Sequence, residues 1–281
     1  MTVNEIAEKY CLNEKDTACF NEYLENKFIG NTKSPDTDIS FIDRWTDICS
    51  YAAVNGVSEA LNKYVIPRRP VSFADTAGLR LEIYDSFAGR IPVIYIKNTK
   101  DFESFITNAV YKGVPPENLP QTGASFISGK TTRFIVLSAK PYSNVPASEI
   151  GISSEEWAER SMIIRREHEC THYYTKQVYG TARNNLHDEL IADFFGIYEA
   201  FGEYRAELFL RFMGIGGSGG RLSFYTDGMS ERLFAAVSEA AVQASAYLEK
   251  YSKTADFLDR SREERINALC ETGLSDMCLK A

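Results

Sequence analysis

Apolar and polar positions divide the chain into three textures. Through the first 66 residues apolar side chains recur at helical spacing. Ala52, Val57, Ala60, Leu61 and Tyr64 mark one face, and Pro67 stops the pattern. Residues 67–150 read as β-rich. Leu79–Tyr84 alternates apolar and polar, and Ile91–Lys97 is dense in β-branched and aromatic residues. The intervening DSFAGR suits a hairpin connection. A short helix is expected around Phe102–Tyr111, then a loop marked by Pro115, Pro116 and Pro120. Ala124–Ser128, a turn at Gly129-Lys130 and the strongly apolar Thr131–Ser138 predict a second hairpin. From 151 to the end the pattern is helical again. Ser153 or Ser154 can cap a helix whose first turn holds Glu155 and Glu156, and Gly180 supplies a left-handed stop after Tyr179. A second helix starts near Asn184/Asn185 and is expected to run past Leu210, with two more over about 229–252 and 255–272. Strands confined to the first half and helices filling the second predict an α+β fold, read as one domain over residues 1–281.

Composition narrows the function classes. The chain has 281 residues, with 31 Lys plus Arg against 39 Asp plus Glu, a net charge of −8. That acidic balance argues against broad nucleic-acid binding and against docking on anionic membranes. Met1–Tyr10 has no apolar signal core and no apolar run approaches the length of a membrane span, so a cytoplasmic location is expected. The six cysteines are scattered without a CxxC pair, which reads as free thiols rather than a disulfide framework. A chain this long needs no metal merely to fold, so a metal site is free to be functional.

All three histidines lie between 168 and 187, and two form His168-Glu169-Cys170-Thr171-His172 inside a predicted helix. Residues four apart share a helical face one turn apart, so both imidazoles can reach one cation. Glu169 projects about 100° around from His168, beside the cation, where its carboxylate can accept a proton from an attacking water. A zinc held by two histidines and a water lacks one protein ligand, often a carboxylate. Glu189 lies 17 residues after His172, beyond a turn centred on Gly180, and Asp193 shares its face and can orient a ligand histidine through the other ring nitrogen. Ala192, Gly196 and Ala200 allow close helix approach, while Leu190, Phe194, Ile197 and Phe201 form a core stripe. His187 is the rival third ligand. It sits about 200° from Glu189 on the same helix, and Asp193 accompanies only Glu189. Cys170 also points about 200° away from His168 and reads as a packing thiol.

HECTH followed by E-L-I-A-D-F-F-G resembles the gluzincin metallopeptidases, of which the thermolysin-like enzymes are the best known; the resemblance covers about residues 160–200. It implies a single zinc held by His168, His172 and Glu189, with Glu169 as general base and Asp193 as the residue supporting a ligand. It also implies a zincin-like fold, with a sheet before the active helix and an edge strand that binds an extended peptide or protein substrate. Thr131–Ser138 stands at a suitable place for that strand. Two departures matter. The gap from His172 to Glu189 is slightly short, and no histidine follows His187 to stabilise an oxyanion, which leaves Tyr225 and Arg221 as candidates. The expected activity is zinc-dependent hydrolysis of peptide or related amide bonds. The alternative is a zincin-fold binding or regulatory module that holds zinc with little or no turnover. Gly214–Gly219 matches GxGxxG formally, but it follows a helix, so it reads as a flexible connection beside the cleft rather than a dinucleotide site. Trp45 and Trp157 read as core.

Overall fold

The computed structural model describes residues 1–30, 38–129, 133–181, 185–216 and 220–281. The architecture is α+β, a small mixed four-stranded sheet with helix through most of the remaining chain. Two compact units divide it: Met1–Pro35 with Val178–Ala281, and Asp36–Gln177. The helical stretch expected over 1–66 is therefore shared between the two units.

The N-terminal segment contributes α1 (Val3–Lys9) and α2 (Glu14–Leu24) to the first unit. Thr2 and Glu5 form a reciprocal capping box on α1, and Asn13 caps α2 by accepting from the Asp16 amide.

The second unit carries the sheet. Its elements are α3 (Phe41–Asn55), β1 (Leu79–Ser86), β2 (Gly89–Ile96), α4 (Thr99–Ala109), β3 (Ala124–Ser128), β4 (Arg133–Ser138) and α5 (Ser154–Tyr179), whose last two residues belong to the first unit. Both expected strand pairings form, β1 antiparallel to β2 and β3 antiparallel to β4, while Lys130 of the expected Gly129-Lys130 turn lies outside the described residues. They join through a parallel pairing of β2 with β4, in the order β1-β2-β4-β3. That pairing starts at Val93, so Pro92, which has no amide hydrogen to donate, stays out of the parallel ladder. Strand alternation sorts the two faces. Phe134 points to the side where Trp45 of α3 and Phe105 of α4 meet it, at 5.3 Å and 6.4 Å between ring centroids. Phe126, paired with Ile135 and so on the opposite face, meets Tyr173 of α5 at 5.7 Å. Tyr84 of β1 reaches the same helix, donating to Glu167 at 2.8 Å.

One sequence expectation is corrected here. The 131–138 segment was read as an edge strand, but β4 lies between β2 and β3 with every residue buried, and Thr131 and Thr132 lie outside the described residues. A hairpin pattern specifies which strands pair, not where the pair docks in the sheet; the parallel β2–β4 contact is nonlocal. Among the described residues the edges are β1 and β3.

Returning to the first unit, the chain forms α6 (Leu186–Phe201), α7 (Ala206–Met213), α8 (Glu231–Tyr251), α9 (Arg262–Glu271) and α10 (Leu274–Lys280). Gly180 takes φ 66, the left-handed stop expected after α5. The helix expected to run past Leu210 instead ends at Phe201, where Gly202 takes φ 76 and accepts the left-handed C-cap. The helix expected over 255–272 is likewise divided, because Ser261 and Glu264 build a new capping box for α9. Trp45 and Trp157 are buried core residues, and all six cysteines are free thiols. No helix among the described residues is long and apolar enough to cross a membrane.

Candidate metal centre

His168 and His172 stand on one face of α5, both 7% exposed. Their Nε2 atoms converge to 3.0 Å with the rings edge to face. Two nitrogens held about 2.0–2.1 Å from a tetrahedral zinc lie roughly 3.3–3.4 Å apart, so the pair is within a few tenths of an ångström of that spacing. Glu169, between them in sequence, is half-buried on the same helix. Cys170 is fully buried, as a packing thiol should be.

The same face of α5 fastens the chain that follows β4. Trp157 donates from Nε1 to the Val145 carbonyl at 2.7 Å, and Ser161 Oγ accepts from the Tyr142 amide at 3.0 Å. The buried Arg165 guanidinium donates to the carbonyls of Ser138, Lys140 and Pro141. Positions 157, 161, 165, 168 and 172 are spaced by four, four, three and four, one continuous helical stripe. The loop held this way puts the Tyr142 hydroxyl 3.1 Å from His168 Nδ1. Sequence reasoning did not single out Tyr142. Its contact spans 26 residues and no local period marks it. Arg165 lies where it does because residue 123 is glycine; a Cβ there would stand 2.5 Å from Nε.

The other predicted residues belong to α6 and its own unit. Glu189 and Asp193, one turn apart, are buried, and Arg221 pairs with both: its Nη1 lies 3.5 Å from Glu189 Oε2, and its Nη2 donates to Asp193 Oδ2. Such pairing is what a buried carboxylate pair requires, since like charges out of water repel strongly. Tyr225, on the helical turn Leu222–Tyr225, joins this cluster. Burial pushes its hydroxyl pKa up, and the Glu189 carboxylate beside it adds to the rise. Arg221 and Tyr225, named from sequence as oxyanion candidates, are thus neighbours of Glu189.

His187 is committed elsewhere. Its Nε2 is 3.2 Å from the Leu269 carbonyl, its ring meets Phe28 edge-on at 5.2 Å, and burial holds its pKa down at about 4. It is a core histidine of its unit. Of the glycine-rich stretch, Gly217–Gly219 lie outside the described residues. Gly214 takes φ 76 to cap α7, and Gly220 packs so closely on it that a Cβ would stand 2.3 Å from the Gly214 Cα.

Comparison with known proteins adds kinship rather than activity. No curated protein and no solved structure matches the chain. A family model described as a family of unknown function, DUF7005, matches residues 67–133 and 130–281, more than half of the sequence, and the chain belongs to that family.

Proposed function

We propose that the chain is a zinc-dependent hydrolase of peptide or related amide bonds, with one zinc held by His168, His172 and Glu189. The observation that carries this reading is the pair of buried imidazole nitrogens converging from one helical face at 3.0 Å. With Glu189, itself buried, the three residues offer two ring nitrogens and a carboxylate oxygen, a donor set that suits catalytic zinc and leaves a position for water. Zinc so bound supplies an acidified water at neutral pH and a Lewis-acid contact for a carbonyl oxygen. The remaining chemistry belongs to the chain. Glu169 accepts a proton from the attacking water and returns it to the leaving amine. The guanidinium of Arg221 and the hydroxyl of Tyr225 are the donors available near Glu189 for charge developing on the carbonyl oxygen.

The extended substrate is assigned to β3 in place of β4. Among the described residues no strand pairs with the outer side of β3. This edge runs beside the last turns of α5, where Phe126 meets Tyr173 and Ser128 accepts from Lys176. Main-chain groups of an edge strand are a ready template for an added strand. One sequence observation favours the alternative, a zinc-holding binding module. No histidine follows His187, so the oxyanion contact falls to residues already engaged with carboxylates.

Glu169→Gln separates the two. The substitution keeps volume and helix fit but removes the proton acceptor. Zinc content and folding should stay at wild-type level while cleavage of a mixed peptide library falls by roughly 100- to 10,000-fold. Cleavage of the same bonds at wild-type rate rejects the general-base assignment. Zinc-loaded wild type that cleaves nothing favours the binding module.

A further inference from the structure

We infer that Tyr142 is a positioning residue that decides which nitrogen of His168 faces the cation. The inference rests on the zinc reading above and deepens it. A neutral imidazole has one donor and one acceptor nitrogen, and the partner of one nitrogen sets the state of the other. For His168 Nε2 to present its lone pair, the proton must sit on Nδ1, and Nδ1 then needs an acceptor. The Tyr142 hydroxyl oxygen stands in place for this at 3.1 Å, buried with its residue only 4% exposed.

A phenol can do what a carboxylate cannot. Without zinc, the Tyr142 hydroxyl can donate to Nδ1 while His168 Nε2–H donates across the 3.0 Å gap to His172 Nε2. With zinc, the hydroxyl rotates and accepts from Nδ1–H, and both Nε2 lone pairs turn to the cation. One proton moves from Nε2 to Nδ1 of the same ring, so the imidazole itself neither gains nor loses a proton. Ionised carboxylates accept only, so they would favour the second arrangement alone.

The surrounding chain is built to hold this oxygen still. Ser161 accepts from the Tyr142 amide, and Arg165 donates to the carbonyls just before it and lies 5.4 Å from the Tyr142 ring centroid. Just after it, Ser143 and Asn144 take φ of 51 and 58, left-handed backbone that non-glycine residues rarely adopt. The Val145 carbonyl that follows is fixed by Trp157. Strain of this kind persists where surrounding contacts over-determine the backbone, and here those contacts come from the stripe that carries both histidines.

Tyr142→Phe removes one oxygen and keeps the ring. Zinc affinity, measured by competition with a chromophoric chelator, should fall about 10- to 100-fold, the usual effect of losing a ligand's hydrogen-bond partner. In the zinc-loaded wild type, the His168 Nδ1 proton should appear as a slowly exchanging imidazole signal by NMR, and in the variant it should exchange faster or vanish. Ser161→Ala, which only releases the Tyr142 amide, should weaken zinc in the same direction by less and guards against a variant that fails to fold. Equal zinc affinity in wild type and Tyr142→Phe overturns the inference and leaves the zinc reading standing. Failure of the wild type to bind zinc overturns both.

Discussion

The two regions that supply the proposed ligands solve opposite physical problems. On α5 the proposed ligands are imidazoles, and what they need is orientation. Trp157, Ser161 and Arg165 provide it by fastening the loop that carries Tyr142. On α6 the ligand and its neighbour are buried carboxylates, and what they need is countercharge. Arg221 provides it to Glu189 and Asp193 together. The difference teaches what each region should do when a cation arrives. The imidazoles would give up their contact with each other. On the proposed reading Glu189 would trade part of its ion pair for the metal, while Asp193 keeps Arg221 in place.

The sharpest way to break this contrast is to remove the countercharge. Arg221→Met leaves two carboxylates one turn apart and buried, and breaking a buried pair costs about 3–5 kcal/mol. Urea denaturation should show that loss. Zinc should restore more stability to the variant than it adds to the wild type, because the cation then supplies the missing charge. Equal stabilisation of both by zinc would separate Glu189 from the metal.

A somewhat smaller effect comes from pH. Burial holds folded His187 down at about 4 against an ordinary 6.5. As pH falls, the unfolded chain takes up this proton near 6.5 and the folded one only near 4. Stability is thus complete above about pH 6.5 and declines towards pH 4, by on the order of 3 kcal/mol. His187→Phe should flatten that part of the stability curve. An unaltered acid slope in the variant would mean that the wild-type ring is not buried neutral.

The smallest effect falls on the oriented region. Gly123→Ala would place a methyl 2.5 Å from Arg165 Nε and force the guanidinium to shift, at about 1–3 kcal/mol. Stability should fall by that amount, and zinc affinity should fall modestly as the Tyr142 loop loosens. Unchanged values for both would show that Arg165 is not a fastening.

How much of this could be read beforehand follows the range of each interaction. The pairing of His168 with His172, and of Glu189 with Asp193, needs only the helical repeat, so both were legible. Ser153, Ser154 and Gly180 marked the ends of α5, and the alternating run Leu79–Tyr84 with the apolar runs after it marked the strands of the two hairpins. Arg221 and Tyr225 were named only as candidates, because no local period links Asp193 to an arginine 28 positions along the chain. Tyr142 went unnamed, since a tyrosine in a proline-flanked loop has many packing roles and its partner stands a long way along the chain. The interior place of β4 was hidden for the same reason: its parallel bond to β2 closes a long crossover that strand pattern does not encode. At Gly202 the signal was present, a glycine after Phe201, and the expected helix ran through it.

The most direct test is zinc stoichiometry compared across three proteins: wild type, Glu189→Ala and His187→Ala. Each is stripped with a chelator, reloaded, freed of excess metal and measured by elemental analysis and by calorimetric titration. One zinc per chain is predicted for the wild type and for His187→Ala, with affinity lowered by more than about 100-fold in Glu189→Ala, beyond the loss usual for a ligand's supporting partner. No uptake by the wild type, or retention by Glu189→Ala with loss in His187→Ala, would contradict the account.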